Sequence, residues 1–273
     1  MFRIVRRRTT ASRVFTLTEL VFHATVRQIR RGYGNGLMAL AMNILQSVIF
    51  IAAFVLLFNI LGMRGSVIRG DFILYIMSGV FLFMTHIKAL GAVAGAEGPA
   101  SPMMKHAPMN TTIAILAAGL SSLYIQLLSA VLILTGVHLA WRPIGIHDTG
   151  GFALMFLLAW FAGAAIGTVL LAVRPWAPNF VSIVTSIYGR LNMVASGKMF
   201  VANTLPAKML AFFDWNPLFH AIDQARGYAF INYNPHYTNW KYPLAVGGIC
   251  LVIGMMGEFY TRRNISISSF AGR

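Results

Sequence analysis

Residues 202–240, ANTLPAKMLAFFDWNPLFHAIDQARGYAFINYNPHYTNW, decide how the rest of the chain is organised. The stretch lies between the last two strongly apolar segments. Pro206, Pro217 and Pro235 divide it into pieces that are too short to cross a bilayer. It is nevertheless too rich in Trp, Phe, Tyr and Leu for a plain solvent loop. We therefore expect it to dip into a membrane from one side or to lie on the membrane surface.

The composition indicates a membrane protein. Hydrophobic residues make up 58% of the 273 residues and charged residues only 11%, whereas soluble domains carry about 25% charged residues. Apolar runs of about 20 residues recur, which is the length that crosses the hydrocarbon core as a helix. These runs lack the alternation of barrel strands. The predicted fold class is an all-α integral membrane protein.

Six transmembrane helices are predicted, at 37–62, 71–95, 111–138, 151–173, 179–200 and 243–261. They would form one six-span transmembrane domain, residues 37–273, which includes the 202–240 stretch. Residues 1–36 form a cytoplasmic basic tail. Within it, residues 14–31 are predicted to be an amphipathic interface helix, with a solvated basic tail as the alternative.

The distribution of basic residues predicts the orientation. With six spans, 13 of the 22 Lys and Arg fall on one side of the membrane and six on the other. The positive-inside rule then places both termini in the cytoplasm. The net charge of +15 is explained by this topology, so we expect no nucleic-acid partner.

Residues 202–240 are predicted to contain two short re-entrant helices between spans five and six, at 208–214 and 218–228. Asn216-Pro217 suits a turn in which proline opens the second helix. Asp223 is expected to pair with Arg226 one turn later. The pair of helices would form a hairpin at the external mouth of the bundle, and a rigid surface cap is the alternative.

A polar row follows the fifth predicted span. An arginine within a membrane is costly, so it usually faces the interior of a bundle or a water-filled path. The residues predicted to line a channel are Ser182, Thr185, Ser186, Arg190 and Asn192. In the alternative interpretation, Arg190 pairs within the bundle and the hydroxyls bond back to their own helix.

An aromatic row follows the first predicted span. Phe50, Phe54 and Phe58 share one helical face and are also predicted to line the channel, because aromatic faces stack on the apolar C–H edges of sugar rings. Lipid contact or core packing is the alternative, and the base rate of buried phenylalanine favours it.

Two pairs of glycines predict close contacts between helices. Gly91/Gly95 and Gly163/Gly167 each place two glycines one turn apart. Such spacings let helix backbones approach each other in membranes.

Motifs for catalysis and cofactor binding are weak. The seven histidines show no metal-ligand spacing. Ser196-Gly197-Lys198 is similar to the end of a phosphate-binding loop, but Met199 replaces the required Ser or Thr and Asn192 stands where glycine is needed. The chain is therefore predicted not to be an enzyme and to bind no ATP, metal or other cofactor itself.

Together these features resemble the membrane permease subunit of type-two ABC exporters, in the branch that exports capsular polysaccharide or O-antigen. The resemblance covers nearly the whole chain. Its most specific part is similar to the family's N-P-L-x-H and R-G segment and comprises Asn216, Pro217, Leu218, Phe219 and His220, followed by Asp223, Gln224, Arg226 and Gly227. Related drug and lipid permeases carry versions of this segment.

The resemblance implies a homodimer in the bacterial inner membrane, with two copies of a separate ATP-binding subunit that hold ATP and Mg²⁺. The cargo would be a lipid-linked polysaccharide, and membrane lipid and periplasmic and outer-membrane export partners would surround the complex. Residues implied in coupling to the ATPase are Glu97, Lys105 and His106, in the connector 96–110. Residues implied in the external gate are Trp215, Asn216, Pro217, Phe219, His220, Asp223, Arg226 and Tyr228.

Three other functions stay open at this point. A drug or lipid permease would have a more apolar fifth span, whereas the polar row along this span favours a hydrophilic cargo. A membrane scaffold subunit without transport would bind no ATPase. A membrane enzyme is least favoured, because no carboxylate or histidine pair lies at a suitable spacing in a loop.

Overall fold

A computed structural model describes residues 10–31, 34–62, 68–98, 110–141 and 143–264. Among these residues there are helices and irregular connections but no strand, which confirms the all-α class. In chain order the helices are α1 Thr10–Arg31, α2 Gly36–Ile60, α3 Phe72–Ala94, α4 Thr111–Ala140, α5 Thr149–Val173, α6 Pro178–Ala195, α7 Ala207–Phe213, α8 Pro217–Ala229 and α9 Lys241–Asn264.

Asparagine or aspartate side chains begin five of these helices. The side-chain oxygen of each accepts a hydrogen bond from a backbone N–H in the first turn, which satisfies a donor that a helix start leaves unpaired. These residues are Asn35 before α2, Asp71 before α3, Asn110 before α4, Asp148 before α5 and Asn216 before α8. The helix starts therefore follow from the local sequence.

Five helices are long and apolar enough to cross a membrane, judged by length and composition: α2, α3, α4, α5 and α9. Each lies within a few residues of one of the six predicted spans. The remaining predicted span, 179–200, corresponds to α6, which has 18 residues and is not among the five. A sixth crossing therefore stays a prediction.

The centre of the bundle is α3. In its most apolar 18-residue window 83% of the residues are buried, against 17% in α2 and 22% in α4 and α9. It packs against α2, α4, α5 and α8. Protein therefore surrounds α3, while the outer helices keep a broad apolar face exposed, as expected for helices that contact lipid.

The helices α3 and α5 run parallel and approach through glycines. A Cβ atom on Gly163 would collide with the backbone carbonyl of His86, and one on Gly167 would lie 2.8 Å from the carbonyl oxygen of Leu90. The close contact predicted for Gly163/Gly167 is therefore confirmed. For the other pair no close contact is seen among the described residues, because a Cβ atom on Gly91 would have none of their atoms within 4 Å, so that contact stays a prediction.

The amphipathic α1 packs against the start of α4. Its Ala24 is buried together with Ile113 and Ala117 of α4, and Leu20 and Val21 pack around them. The helix predicted for residues 14–31 is thus confirmed. Part of its apolar face is covered by protein.

Replacing Gly163 with alanine is expected to destabilise the protein by about 1–3 kcal/mol, because the added methyl group must displace the α3 backbone at His86. The unfolding temperature of the purified protein in detergent measures the effect. Gly91→Ala is the matched control, since it adds the same group to open space and raises helix propensity. Equal unfolding temperatures for the two variants would contradict the close contact.

Candidate functional site

Residues 202–240 form a cap on the end of the bundle where α3 and α5 begin, and residues 196–201 form the connector that joins α6 to this cap. The cap contains α7 and α8, which confirms the two short helices predicted there. The backbone N–H of Asp148, just before α5, donates a hydrogen bond to the carbonyl of Tyr228 at 2.8 Å. The end of α8 is thereby fixed to the start of α5.

Asn216 joins the start of α8 to the end of α6. Its Oδ1 accepts a hydrogen bond from the backbone N–H of Leu218 at 3.0 Å. Its Nδ2 donates to Oδ1 of Asn192 at 3.0 Å and to the carbonyl of Ala195 at 2.9 Å. Pro217 takes the first position of α8, where its missing N–H is not needed. The Asn-Pro pair therefore completes one helix and holds another.

Arg226 connects α8 to the connector from a fully buried position. Its Nη1 donates to the carbonyls of Gly197 and Phe200 at 2.7 and 2.6 Å, and its Nη2 donates to the carbonyl of Lys198 at 2.7 Å. The guanidinium lies 4.1 Å from the ring centroid of Tyr75 on α3. Its rigid, planar set of donors suits carbonyls that converge from several directions.

Asp223 connects α8 to the two ends of the cap through three hydrogen bonds. Its Oδ1 accepts hydrogen bonds from the backbone N–H of Ala202 at 3.2 Å and the hydroxyl of Tyr233 at 2.5 Å, and its Oδ2 accepts one from the hydroxyl of Thr238 at 2.8 Å. Burial and the Asp223 carboxylate raise the pKa of Tyr233, so its hydroxyl stays a donor. The prediction that Asp223 pairs with Arg226 is wrong, because both side chains bind groups from other segments.

His220 connects the segment after α7 to the segment before α9 through two hydrogen bonds. Its Nδ1 accepts a hydrogen bond from the backbone N–H of Asn239 at 3.0 Å, so a neutral ring carries its proton on Nε2. That Nε2–H donates to the carbonyl of Asp214 at 2.6 Å. The ring also lies 4.6 Å from the ring of Tyr242 at the start of α9. His220 therefore ties the end of α7 to the start of α9.

Two glycines are needed where the connector and the cap pack tightly. Gly197 has a φ of +74°, a conformation that glycine adopts far more readily than other residues. A Cβ atom on Gly197 would lie 2.6 Å from the ring of Phe219, and one on Gly227 would lie 2.7 Å from the ring of Pro235. The connector and the cap therefore form one tightly packed unit.

The connector lies inside the bundle, not on its end. A Cβ atom on Gly79 would lie 2.9 Å from the Cα atom of Lys198. Gly79 comes seven positions after Phe72, where α3 begins, so the connector reaches about 10 Å along α3. Phe230, at the other side of the cap, packs beside Gly70 before α3 begins. The cap thus extends from the end of the bundle into it.

The start of α9 and the length of α6 indicate the same depth of about 10 Å for the cap inside the bundle. Gly247 of α9 packs against Ala162 of α5, so the two residues lie at the same level. Ala162 is 13 positions after the start of α5 at Thr149, but Gly247 is only six after the start of α9 at Lys241. Consequently α9 begins about 10 Å further inside the bundle than α5. With 18 residues against 25 in α5, α6 is also shorter by about 10 Å. The cap fills this missing length, which is the geometry expected of a re-entrant segment.

Six of the eight predicted gate residues are interior side chains. They are Asn216, Pro217, Phe219, His220, Asp223 and Arg226. Trp215 is 57% exposed, and Tyr228 is half-buried. The six buried side chains bind the cap together and do not face an open path in this conformation. The gate role stays a prediction, for which Trp215 and Tyr228 provide the accessible surface.

Most of the surface of α6 faces away from the rest of the protomer, with only two of its 18 residues buried. The predicted polar row divides in two. Ser182, Ser186 and Arg190 are exposed and lie one turn apart on a single face. Thr185 is half-buried and donates to its own helix, and Asn192 is buried.

Tyr188 attaches the middle of α6 to the bundle. Its hydroxyl lies 2.9 Å from Nε2 of His86, whose Nδ1 lies 2.9 Å from the carbonyl oxygen of Ala159. Because a carbonyl oxygen only accepts, Nδ1 carries the proton and Nε2 accepts from the tyrosine. The sequence did not single out this pair, since a lone histidine in an apolar run shows no pattern.

The aromatic row of α2 faces the protein interior. Phe54 and Phe58 are buried and Phe50 is partly buried. The ammonium of Lys198 lies 3.6 Å from the ring centroid of Phe83 and 5.2 and 5.4 Å from those of Phe54 and Phe50. No hydrogen-bond acceptor among the described residues reaches it, so the ring faces stabilise its charge. In this conformation the row takes part in core packing, which is the alternative given for it, and its channel-lining role stays a prediction.

The predicted coupling residues are only partly within the described chain. Glu97 accepts a hydrogen bond from Nη1 of Arg31 at 2.6 Å, which joins the end of α1 to the end of α3. Lys105 and His106 lie outside the described residues. Coupling to an ATPase stays a prediction for all three.

No protein-family model matches the chain, and no curated protein matches it either. Within the part of the chain that the structure describes, no group of three or more His, Cys, Asp or Glu is placed to hold a metal ion. The features of the chain that bear on its function are therefore the cap, α6 and the motifs of the sequence.

Replacing Arg226 with lysine is expected to destabilise the protein by about 3 kcal/mol or more. A lysine ammonium cannot span the three carbonyls, and each carbonyl left without a donor costs about 1–3 kcal/mol. The unfolding temperature in detergent is the measurement. Arg190→Lys, at an exposed arginine, is the matched control and is expected to leave that temperature unchanged. An unaltered Arg226→Lys protein would show that the cap does not depend on this side chain.

Proposed function

We propose that the chain is the membrane permease subunit of an ATP-driven exporter that moves a polysaccharide of the capsule or O-antigen type from cytoplasm to periplasm. Two copies of the chain form the channel in the bacterial inner membrane, with α6 as the fifth of six crossings. Two copies of a separate ATP-binding subunit hold ATP and Mg²⁺. The sequence resemblance supplies this hypothesis, and the arrangement of α6 supports it.

The observation that carries the proposal is the exposed face of α6 with Ser182, Ser186 and Arg190. This helix follows the apolar α5 after a short turn and runs back along the bundle to the cap. A guanidinium in contact with hydrocarbon is costly, so such a face turns toward water or toward another protein. Two copies facing each other would enclose a path lined by hydroxyls and cations, which suits a hydroxyl-rich cargo.

The cap would close the outer end of this path. It is joined to α6 through the hydrogen bond between Asn216 and Asn192 and through the connector carbonyls that bind Arg226. Movement of the cap would therefore carry the end of α6 with it. Opening by displacement of this unit agrees better with the burial of the gate candidates than opening by rotation of single side chains.

A lipid or drug permease is the second candidate. It is favoured by the exposed apolar side chains of α6, namely Phe180, Ile183, Ile187, Leu191 and Val194. These side chains would contact membrane lipid in a polysaccharide exporter and the cargo itself in a lipid exporter. The polar row distinguishes the two, because a purely lipidic cargo gains nothing from it.

Arg190→Ala is expected to lower surface polysaccharide severalfold while the protein still inserts into the membrane, because the exposed guanidinium contributes to the path and not to the fold. Surface glycan and the amount of membrane-inserted chain are measured together. Arg263→Ala, which removes an exposed arginine at the end of α9, is the control and is expected to preserve export. Normal surface glycan in Arg190→Ala would exclude the channel role of Arg190.

Glu97→Lys is expected to reduce co-purification of the partner ATPase, because it breaks the ion pair with Arg31 and loosens α1 beside the predicted docking connector. The double variant Arg31→Glu/Glu97→Lys restores the pair with the charges exchanged, and we expect it to recover part of the binding. The measurement is the ratio of ATPase to permease after affinity purification. An unchanged ratio in Glu97→Lys would argue against docking at this end of the protein.

A further inference from the structure

A polar cavity lies among α1, α2, α3 and α4, apart from the cap and from α6. Its volume is about 200 Å³. All four helices contribute polar side chains to its lining, including Gln28, Gln46, Lys88 and Gln126. None of the described residues that line it is acidic. The charge of this cavity is therefore the positive charge of Lys88.

The charge of Lys88 is incompletely compensated. Its Nζ donates a hydrogen bond to Oε1 of Gln46 at 2.8 Å, which is a neutral acceptor. Within the described residues no carboxylate forms an ion pair with it. An ammonium has three donors, so two are available to a further group. Lys88 is half-buried and its bond to Gln46 is exposed, so an anion that entered the cavity would reach the remaining donors and stabilise the charge.

Hydrogen bonds between helices hold the cavity open. The Nδ2 of Asn43 donates to Oγ of Ser129 at 2.8 Å, and Nε2 of Gln126 donates to Oδ1 of Asn43 at 2.9 Å. All three residues are buried, and their bonds fix α2 to α4 along one wall. The cavity is therefore part of the packed structure, with polar groups held in fixed positions.

The cavity lies near the end of the bundle that is opposite the cap. Lys88 comes six positions before Ala94, where α3 ends, which is a distance of about 9 Å along the helix. Gln28 and Ile29 of the amphipathic α1 form part of the lining. In the predicted topology this is the level at which the inner-leaflet headgroups meet the acyl chains.

Basic residues of α1 surround the approach to the cavity. A neighbouring cavity of about 370 Å³ shares Gln28 and is lined by Arg27, Arg30 and Arg31. Arg31 is paired with Glu97, while Arg27 and Arg30 are exposed. Basic side chains at a membrane surface attract anionic lipids.

We propose that the cavity binds the phosphate group of an anionic membrane lipid, with Lys88 as the charge partner and Gln28 and Gln46 as neutral donors. Inorganic phosphate offers the same chemistry. The position under an amphipathic helix at the end of the spans favours lipid as the source. The site is separate from the polar face of α6 and does not depend on the proposed transport function.

The test is thermal unfolding of the purified full-length protein in detergent, with phosphatidylglycerol, phosphatidylcholine or inorganic phosphate added. Phosphatidylglycerol is expected to raise the unfolding temperature of the parent protein. In Lys88→Gln the concentration needed for half of this effect is expected to rise about fivefold, the contribution of one basic residue near a lipid headgroup. Lys208→Gln removes the same charge from an exposed site on α7 and is expected to behave like the parent.

Several results would overturn the proposal. An equal response of Lys88→Gln and the parent would exclude Lys88 as the charge partner, and equal stabilisation by phosphatidylcholine would exclude selection of an anion. Stabilisation by inorganic phosphate as large as that by phosphatidylglycerol would exclude lipid as the source. If Lys88→Gln does not fold, Gln28→Leu is tested in its place, because it removes only the polar group that α1 contributes to the lining. An unchanged response of Gln28→Leu to phosphatidylglycerol would then overturn the site.

Discussion

The geometry of the cap depends on the three hydrogen bonds that Arg226 donates to the connector. A guanidinium without acceptors in a protein interior would carry a large free-energy cost, and here three carbonyls accept from it at 2.6 to 2.7 Å. These carbonyls belong to the irregular connector after α6, where buried backbone groups need partners that a helix does not supply. The two terminal nitrogens of one side chain thus satisfy the backbone of a turn that lies inside the bundle, while its Nε has no hydrogen-bond partner among the described residues.

The depth of that turn determines the form of α6. Because the chain reverses about 10 Å inside the start of α3, α6 ends before it has run the full length of the bundle. Tyr188 and Asn192 then attach it at its middle and near its end, and little else holds it. The exposed face with Ser182, Ser186 and Arg190 is the consequence. The cap and the open polar face are therefore two results of one packing arrangement.

Features that depend on neighbours within one helical turn can be predicted from this sequence, and contacts between distant segments cannot. Apolar runs and the Asn216-Pro217 turn gave helix positions to within a few residues. The spacing of Asp223 and Arg226 predicted a pair, but Asp223 binds Ala202 and Thr238, which are 21 and 15 residues away. Likewise, the row that contains Phe54 shows a shared face, but only the fold shows that Lys198 occupies it.

Four basic side chains at the level of the spans differ in how their charge is compensated. Carbonyls accept hydrogen bonds from Arg226, and three phenyl rings surround the ammonium of Lys198. Both charges are thus compensated within one protomer, where they stabilise the fold. Lys88 has one neutral acceptor, and Arg190 has no hydrogen-bond or ion-pair partner among the described residues. A charge at membrane depth requires water, an anion or another protein. The two incompletely compensated cations are therefore the basis of both proposals made for this protomer: an anion in the cavity under α1 and a polar path along the exposed face of α6.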